Sequence, residues 1–230
     1  MFAILYSIGL LLYGGLIRLA ALFHPKAKQW HEGRKDWYAA AQLAQQAVAG
    51  RRVVWFHTAS LGEFEQGRPI IDAWRATRPG DFILLTFFSP SGYEVRKHYP
   101  LADYVAYLPL DTPANARRFV SLWQPEIAFF VKYEFWWHYC HALQRHGSRL
   151  LAVSAIFRPR QFLFSPLGAS YRKVLYCFEH FFVQNETSMQ LLAQMGMRDA
   201  TLTGDTRFDR VAQLAQTTAD RAEIERFVQN

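Results

Sequence analysis

The segment HTASLGEFEQ, which follows the apolar run Val53–His57, brings together residue types that could do acid–base chemistry. Ser60 and Glu63 have the spacing of a capping box, in which the glutamate closes back on the backbone N–H of the serine. The same spacing could place Glu63 at a helix N-terminus as a general base, because the helix dipole favours an ionised carboxylate and Gly62 leaves the backbone open to a ligand. The pattern leaves both interpretations open, and His57 is expected to be a structural histidine.

A second segment, FFSPSG, joins an apolar run to a helical pattern. If a helix starts here, free backbone N–H groups and the hydroxyls of Ser89 and Ser91 could bind a phosphate, with Gly92 beside them. Serine and proline are just as common at helix N-termini that bind nothing. The sequence favours neither alternative.

A third segment, KYEFWW, follows the apolar run Ile127–Val131 and begins with Lys132. Its carboxylate, Glu134, stands among aromatic residues and could be an acid with a perturbed pKa or a group that faces a sugar. It could equally be an exposed glutamate in the first turn of a helix whose aromatic side chains belong to the core.

Two cations lie in loops that follow later predicted strands: Arg158 in RPR and Arg207 in GDTRFD. Either of them alone is more typical of a solvated charge than of a ligand group. No His/Asp cluster has the spacing of metal ligands, so no metal is expected. Cys140 and Cys177 are predicted to be buried thiols in a reducing compartment.

Short apolar runs alternate with segments of helical period, which predicts an α/β fold: a Rossmann-like parallel sheet with helices on both faces. Ligands of such sheets bind at the carboxyl ends of the strands, in the loops that lead into the helices. The predicted strands are Val53–His57, Phe82–Phe87, Tyr104–Tyr107, Ile127–Val131, Leu150–Ser154, Phe181–Gln184 and Ala200–Thr203. The predicted helices between them are Phe64–Arg75, Gly92–His98, Pro113–Trp123, Phe135–His146, Tyr171–Phe178 and Glu186–Met195.

The N-terminus is apolar and the residues after it are basic. Residues 1–52 contain seven Lys or Arg and two acidic residues, which is +5 of the total charge of +7. We expect residues 1–24 to form a membrane anchor or an interfacial helix, although a helix packed on the protein itself remains an alternative. Residues 25–52 are expected to be a basic connector, and the positive-inside rule places the rest of the chain on the cytoplasmic side. The sequence contains no run of basic residues with interleaved aromatic residues, so nucleic-acid binding is not predicted.

Six blocks together resemble the Kdo transferases of Gram-negative lipopolysaccharide synthesis: HTASLGEFEQGRP, LLTFFSPSGYEV, YLPLDTPANARRF, VKYEFW, FFVQNETSMQLL and GDTRFDRV. The resemblance implies the two-lobed fold called GT-B, with residues 53–210 as the N-terminal, acceptor-binding lobe. Residues 211–230 would begin a linker to a C-terminal lobe that binds CMP-Kdo and is absent from this chain. The implied reaction, at the cytoplasmic side of the inner membrane, transfers the acidic sugar Kdo to a lipid A precursor, lipid IVA. This chain alone is expected to be inactive.

The resemblance also implies roles for single residues. The family's proposed general base falls on Glu63, and groups proposed to stabilise the transition state fall on Glu134 and on Arg207, where the family often has lysine. Neither a metal nor a cofactor is implied. The residues that we expect to bind substrate through backbone N–H groups, hydroxyls or cations are Ser60, Gly62, Ser89, Ser91, Gly92, Lys132 and Arg158.

Two other functions remain open. Another envelope glycosyltransferase of the GT-B type would use a UDP-sugar and a lipid acceptor, and the nucleotide-contacting loops of its second lobe would identify it. A non-catalytic, membrane-associated lipid-binding module would consist of this lobe alone.

Overall fold

The computed structural model describes residues 2–206, and the predicted linker at residues 211–230 lies outside them. Its centre is one sheet of seven strands in the order β3-β2-β1-β4-β5-β6-β7, with every neighbouring pair parallel. The strands are β1 (Val53–Thr58), β2 (Phe82–Phe87), β3 (Tyr104–Tyr107), β4 (Ile127–Val131), β5 (Arg149–Ala155), β6 (His180–Val183) and β7 (Ala200–Leu202). Each predicted strand agrees with the observed one to within about one residue at either end.

The α-helices of the described residues are α1 (Phe2–Ala20), α2 (Pro25–Glu32), α3 (Trp37–Gln45), α4 (Leu61–Thr77), α5 (Pro90–Arg96), α6 (Pro113–Trp123), α7 (Trp137–His146), α8 (Ala169–Arg172) and α9 (Glu186–Gln194). The segment predicted as one helix at Tyr171–Phe178 is instead the end of α8 followed by a 3₁₀-helix, Lys173–Cys177. The tighter 3₁₀ winding aligns residues three apart, here Val174 and Cys177, which are both buried.

Successive residues of each central strand point into two separate cores. In β1, Trp55 packs in one core with Phe119 of α6 and Tyr139 of α7, whereas Phe56 lies in a second core with Phe64 of α4. Because both faces of the strands are covered, the strands are apolar throughout instead of alternating with polar residues. The predicted parallel sheet with helices on both faces is confirmed.

The order of the strands reverses at β1. The chain runs outward from β1 through β2 to β3 and then returns to place β4 on the other side of β1. Helix α4, which follows β1, packs on one face of the sheet, and α7, which follows β4, packs on the other. Sheets of this type bind their ligands in a crevice at such a reversal, which is expected here beside the loops after β1 and β4.

The N-terminal helices pack against this domain. Helix α1 is long and apolar enough to cross a membrane, although signal sequences and core helices can share these properties. The stretch predicted as a connector includes α2 and α3, and Arg34 fastens it to the sheet. The Arg34 guanidinium donates hydrogen bonds to the carbonyls of Phe88 at 2.6 Å and Leu108 at 2.9 Å, and it stacks on the ring of Trp30.

Candidate active site

The loop after β1 forms the N-terminus of α4. Ser60 is the N-cap, and Oε2 of Glu63 accepts hydrogen bonds from the Ser60 backbone N–H at 3.0 Å and from the Ser60 hydroxyl at 3.3 Å. The capping box predicted from the sequence is therefore present. Oε1 of Glu63 has no hydrogen-bond partner within residues 2–206. Half of the carboxylate thus stays available for a second role.

Glu134 lies in the loop after β4, ahead of α7, which begins at Trp137. Its side chain is buried, with only 9% of the residue exposed. Its Oε2 accepts a hydrogen bond from the Trp136 indole N–H at 2.6 Å and lies 3.1 Å from Nε2 of His57. The alternative of an exposed glutamate in the first turn of a helix is therefore wrong.

His57, completely buried near the end of β1, connects Glu134 to the neighbouring strand. Its Nδ1 lies 2.9 Å from Oγ1 of Thr86, which accepts a hydrogen bond from Trp55 Nε1 at 2.7 Å. The Thr86 hydroxyl therefore links the side chains of Trp55 and His57. On the other side of the ring, Nε2 of His57 lies 3.1 Å from Oε2 of Glu134 and 3.1 Å from the indole nitrogen of Trp136, so these three side chains form one connected cluster. His57 is a satisfied structural histidine, as predicted, and the group that it holds is Glu134.

The two glutamates influence each other electrostatically. Burial raises the pKa of Glu63 above its ordinary value, and the negative charge of Glu134 raises it further. The electrostatic effect of His57, the hydrogen bond from the backbone and the charge of Lys132 oppose this shift without cancelling it. A carboxylate with a raised pKa is a stronger base near neutral pH than an ordinary one.

The loop after β2 contacts the loop after β1. The backbone N–H of Ser89 donates to the carbonyl of Ala59 at 2.7 Å, and the Ser89 side chain caps α5 by accepting from the N–H of Ser91 at 3.3 Å. Gly92 is buried, and a Cβ added there would lie 2.3 Å from an aromatic ring of β2 and 3.0 Å from the Ser60 backbone. Close packing of α5 on the β1 loop explains this glycine, whereas the two serines keep hydroxyl groups at the solvent-facing side of the loop.

Of the other predicted site residues, Gly62 lies in the first turn of α4, and Lys132 and Arg158 follow β4 and β5 at the same edge of the sheet. A side chain built at the exposed Gly62 would meet open space, so the backbone there is open to a ligand. Lys132 is half-buried and has a φ of 71°, a left-handed conformation that costs energy for a non-glycine residue and is enriched at functional sites. Arg158 is exposed after β5, and Arg207 lies outside the described residues. In the part of the chain that the structure describes, no group of three His, Cys, Asp or Glu side chains is arranged to hold a metal ion.

A network that the sequence did not predict fastens the GDT segment beside the candidate site. The hydroxyl of Thr206 donates to the backbone carbonyl of Gln66 at 2.6 Å and lies 2.8 Å from the hydroxyl of Ser154. The side-chain amide of Gln66 donates to Asp205 at 3.1 Å. Gln66 is almost one turn beyond Glu63 on α4, so the chain after the last strand returns to the helix that carries the candidate base. In the sequence, this segment was marked by its place after a predicted strand and by the family block GDTRFDRV.

Comparison with known proteins identifies the family. Residues 30–210 match the family model described as 3-deoxy-D-manno-octulosonic-acid transferase (kdotransferase). The chain belongs to this family. The match includes every predicted site residue from Ser60 to Arg207, and it confirms the resemblance to Kdo transferases that the six blocks indicated.

Curated relatives carry the name 3-deoxy-D-manno-octulosonic acid transferase. The one from Rickettsia felis is 25% identical over 173 residues, which cover 73% of this chain and 36% of the relative. The one from Bordetella pertussis is 28% identical over 176 residues, which cover 74% of this chain and 41% of the relative. One from Aquifex aeolicus is 39% identical over 84 residues, 36% of this chain and 23% of the relative. This chain therefore matches about two fifths or less of the length of these Kdo transferases.

Two solved structures share the fold. UDP-GlcNAc 2-epimerase from Neisseria meningitidis bound to UDP-GlcNAc has a TM-score of 0.55 at 14% identity, covering 76% of this chain and 54% of that one. A putative UDP-N-acetylglucosamine 2-epimerase from Listeria monocytogenes has a TM-score of 0.53 at 13% identity, covering 69% and 46%. The likeness shows the fold alone. This member of the Kdo transferase family has the Rossmann-like fold of one GT-B lobe, as predicted.

Proposed function

We propose that the protein transfers Kdo from CMP-Kdo to a lipid A precursor such as lipid IVA, and that residues 53–210 form its acceptor-binding lobe. The family match supports the reaction. The observation that carries the proposal is the arrangement of Glu63 and Glu134 at the loops after β1 and β4, where the strand order reverses. Glu63 has a raised pKa and one oxygen without a hydrogen-bond partner among residues 2–206, and Glu134 accepts a hydrogen bond from Trp136 and lies 3.1 Å from His57.

The proposed chemistry assigns a separate task to each carboxylate. Oε1 of Glu63 takes the proton from an acceptor hydroxyl while that oxygen attacks the anomeric carbon of Kdo. The bond from the anomeric carbon to the phosphate oxygen breaks, and CMP leaves with the electron pair. Glu134, held in place by His57 and Trp136, stabilises the positive charge that develops on the sugar ring.

The predicted substrate-binding groups suit anionic ligands. The cations Lys132, Arg158 and Arg207 are proposed to hold phosphates or the Kdo carboxylate, and the Lys132 charge already acts on Glu63. The loop hydroxyls of Ser89 and Ser91 and the open backbone at Ser60–Gly62 are proposed to bind the acceptor sugar. Gly92 is required for close packing of α5 on the β1 loop, so no direct contact with substrate is proposed for it.

The proposed domain organisation extends beyond the lobe. Residues 1–24 contact the cytoplasmic side of the inner membrane, residues 25–52 connect that segment to the lobe, and residues 211–230 lead to a C-terminal lobe that binds most of CMP-Kdo. The likeness to UDP-GlcNAc epimerases does not favour a UDP-sugar donor, because at 13–14% identity it concerns only the fold. The chain alone is expected not to turn over.

A donor-specificity assay tests the proposal. The protein that contains this segment together with its C-terminal lobe is incubated with a tetra-acylated lipid A precursor and either CMP-Kdo or a panel of UDP-sugars. Mass spectrometry should detect an acceptor with added Kdo only when CMP-Kdo is present. Transfer from a UDP-sugar alone would identify a different glycosyltransferase, and a folded protein that transfers from neither donor would favour the non-catalytic lipid-binding module.

A further inference from the structure

Helix α1 has one continuous apolar face in solvent. The residues on this face recur at helical spacing, and each of them is between 48% and 65% exposed. They are Ile4, Leu5, Ile8, Leu11, Leu12, Leu16 and Leu19. Leu22 and Phe23, 72% and 85% exposed, extend the apolar surface beyond the end of the helix. A surface of this size and composition is unusual on a protein that contacts only water.

The opposite face of α1 is docked on the domain along most of its length. Near the N-terminus, the ring of Phe2 lies 4.9 Å from that of Trp137, and the hydroxyl of Tyr6 donates to Asp111 at 2.8 Å. Farther along, the ring of Tyr13 lies 5.9 Å from that of Trp30. Eleven residues separate Phe2 from Tyr13, so the docked face runs for about 16 Å along the protein.

This docking is incompatible with a helix that crosses a bilayer. A spanning helix would carry the groups docked against it to the depth of the hydrocarbon, including the carboxyl of Asp111 and the imidazole of His138, which lies 2.9 Å from the hydroxyl of Ser7. Loops and polar side chains around this docked face would then be exposed to hydrocarbon, which is strongly unfavourable. A helix that lies in the plane of the membrane keeps its docked face against the domain and exposes only its apolar face to lipid.

The free cations of the N-terminal region lie at the C-terminal end of α1. Arg34, Arg51 and Arg52 are committed to hydrogen bonds or ion pairs within the domain. In contrast, a groove between α1 and α2 is lined by Arg18, Lys28, His31 and Lys35 together with a single acidic residue, Glu32. None of these three Lys or Arg side chains makes a hydrogen bond or an ion pair with the rest of the described chain. The groove offers an excess of positive charge beside the apolar face, which matches anionic lipid head groups next to acyl chains.

We infer that α1 is an interfacial helix that lies flat in one leaflet of an anionic bilayer, with its Ile4–Leu19 face among the acyl chains and the α1–α2 groove on the lipid phosphates. The partner is the lipid surface itself. The inference depends on the geometry of the helix and not on the identity of the transferred sugar, so it survives or fails independently of the proposed reaction.

Depth measurements distinguish the two orientations. Leu5, Leu12 and Leu19 lie on the same face two turns apart, and each is replaced singly by cysteine and labelled with a fluorophore; Cys140 and Cys177 are buried and should not react. Ala76→Cys, on the exposed end of α4, is the control. In vesicles of phosphatidylglycerol and phosphatidylcholine with brominated acyl chains, a flat helix should place all three labels at one shallow depth and leave the Ala76 label unquenched. A label at 12 near the bilayer centre, with 5 and 19 near opposite head groups, would overturn the inference in favour of a spanning helix.

Charge variants test the choice of lipid. Lys28→Gln with Lys35→Gln should weaken binding of this chain to phosphatidylglycerol vesicles by about tenfold or more, since each lysine near an anionic surface contributes substantially. Arg78→Gln with Lys97→Gln removes the same charge from exposed positions outside the groove and should change binding by less than about twofold. Equal losses of binding for the two pairs of substitutions would show that only the net charge of the protein attracts it to the vesicles. If the wild-type chain bound neither phosphatidylglycerol vesicles nor the mixed vesicles with phosphatidylcholine, lipid would be excluded as the partner of α1.

Discussion

At the residue scale, Glu63 can cap a helix and accept a proton because the two tasks use different oxygens. Both capping bonds end on Oε2, while Oε1 remains free of partners among residues 2–206. Capping also fixes the rotamer of the side chain, so the free oxygen keeps one direction relative to the crevice. The sequence pattern leaves the capping and catalytic interpretations of this glutamate open, and the geometry of its two oxygens is compatible with both.

Glu63→Gln separates these two roles. Glutamine keeps the capping bond to the N–H of Ser60 but cannot take a proton, so the free energy of unfolding should fall by only about a few tenths of a kcal/mol. Turnover in the protein that carries both lobes should fall by about 100- to 10,000-fold, with acceptor binding little changed.

Glu186→Gln is a matched control, because Glu186 also lies in the first turn of a helix, α9, and is exposed. It should give a similarly small change in stability and leave turnover unchanged. Near-normal turnover by the Glu63 variant would return that residue to a purely capping role.

At the scale of elements, Asp111 joins two helices to the end of β3. The N-cap of α7 is Trp136, which has no side chain able to accept from the first turn. Asp111 supplies this acceptor from outside the helix, taking hydrogen bonds from the backbone N–H groups of His138 at 3.0 Å and Tyr139 at 2.9 Å. It also accepts from the Tyr6 hydroxyl of α1, so one buried carboxyl holds both helices.

The stability of this joint should depend on pH. Burial raises the pKa of Asp111 from its ordinary value of 3.8 to about 7, although its three hydrogen bonds lower it. A group with a raised pKa in the folded state stabilises folding fully below its unfolded pKa and loses that contribution as the pH rises through its folded pKa. Relative to Asp111→Asn, the wild-type chain should therefore gain unfolding free energy as the pH falls from 8 to 5, by at most about 1.4 kcal/mol per pH unit.

Urea unfolding of both chains across this range measures the difference. Asp36→Asn, at an exposed position, is the control for removal of a carboxyl group, and its curve should run parallel to that of the wild type. Parallel curves for Asp111→Asn as well would show that the buried carboxyl does not take up a proton on folding.

At the scale of the whole molecule, this chain corresponds to only part of its relatives. The chain matches about two fifths or less of the Kdo transferases compared with it, and about half of each epimerase structure. In the described part of the chain, the candidate base and the loop hydroxyls lie at one edge of a single sheet. A donor that binds between two lobes would therefore find only part of its site here.

The isolated chain should bind a lipid A precursor but neither CMP nor CMP-Kdo. Isothermal titration in detergent micelles measures both, with the micelles alone as the blank. Lys132→Gln should weaken acceptor binding if that half-buried cation holds an acceptor phosphate, and the exposed Lys97→Gln is its control. Micromolar affinity for CMP would show that the lobes are assigned the wrong way round.

The sequence by itself determined the elements and much of their order. Strands such as Phe82–Phe87 and Ile127–Val131 are predicted to the residue, because a strand buried on both faces must be apolar along its whole length. The capping box of Ser60 and Glu63 is likewise readable, since its partners lie three residues apart. Five of the six family blocks lie within residues 30–210, which the family model matches, and the sixth, GDTRFDRV, lies there except for its last residue.

Only the tertiary structure decided which side chains meet. Glu134 is a buried partner of His57, 77 residues away, and not an exposed helix residue, because parallel pairing of β1 with β4 brings two distant loops together. The orientation of α1 likewise depends on contacts such as that of Tyr6 with Asp111, 105 residues apart. The sequence pattern shows which residues are apolar and at what spacing they recur. It does not record which surface will cover them, because that depends on crossover connections whose ends approach only in the folded chain.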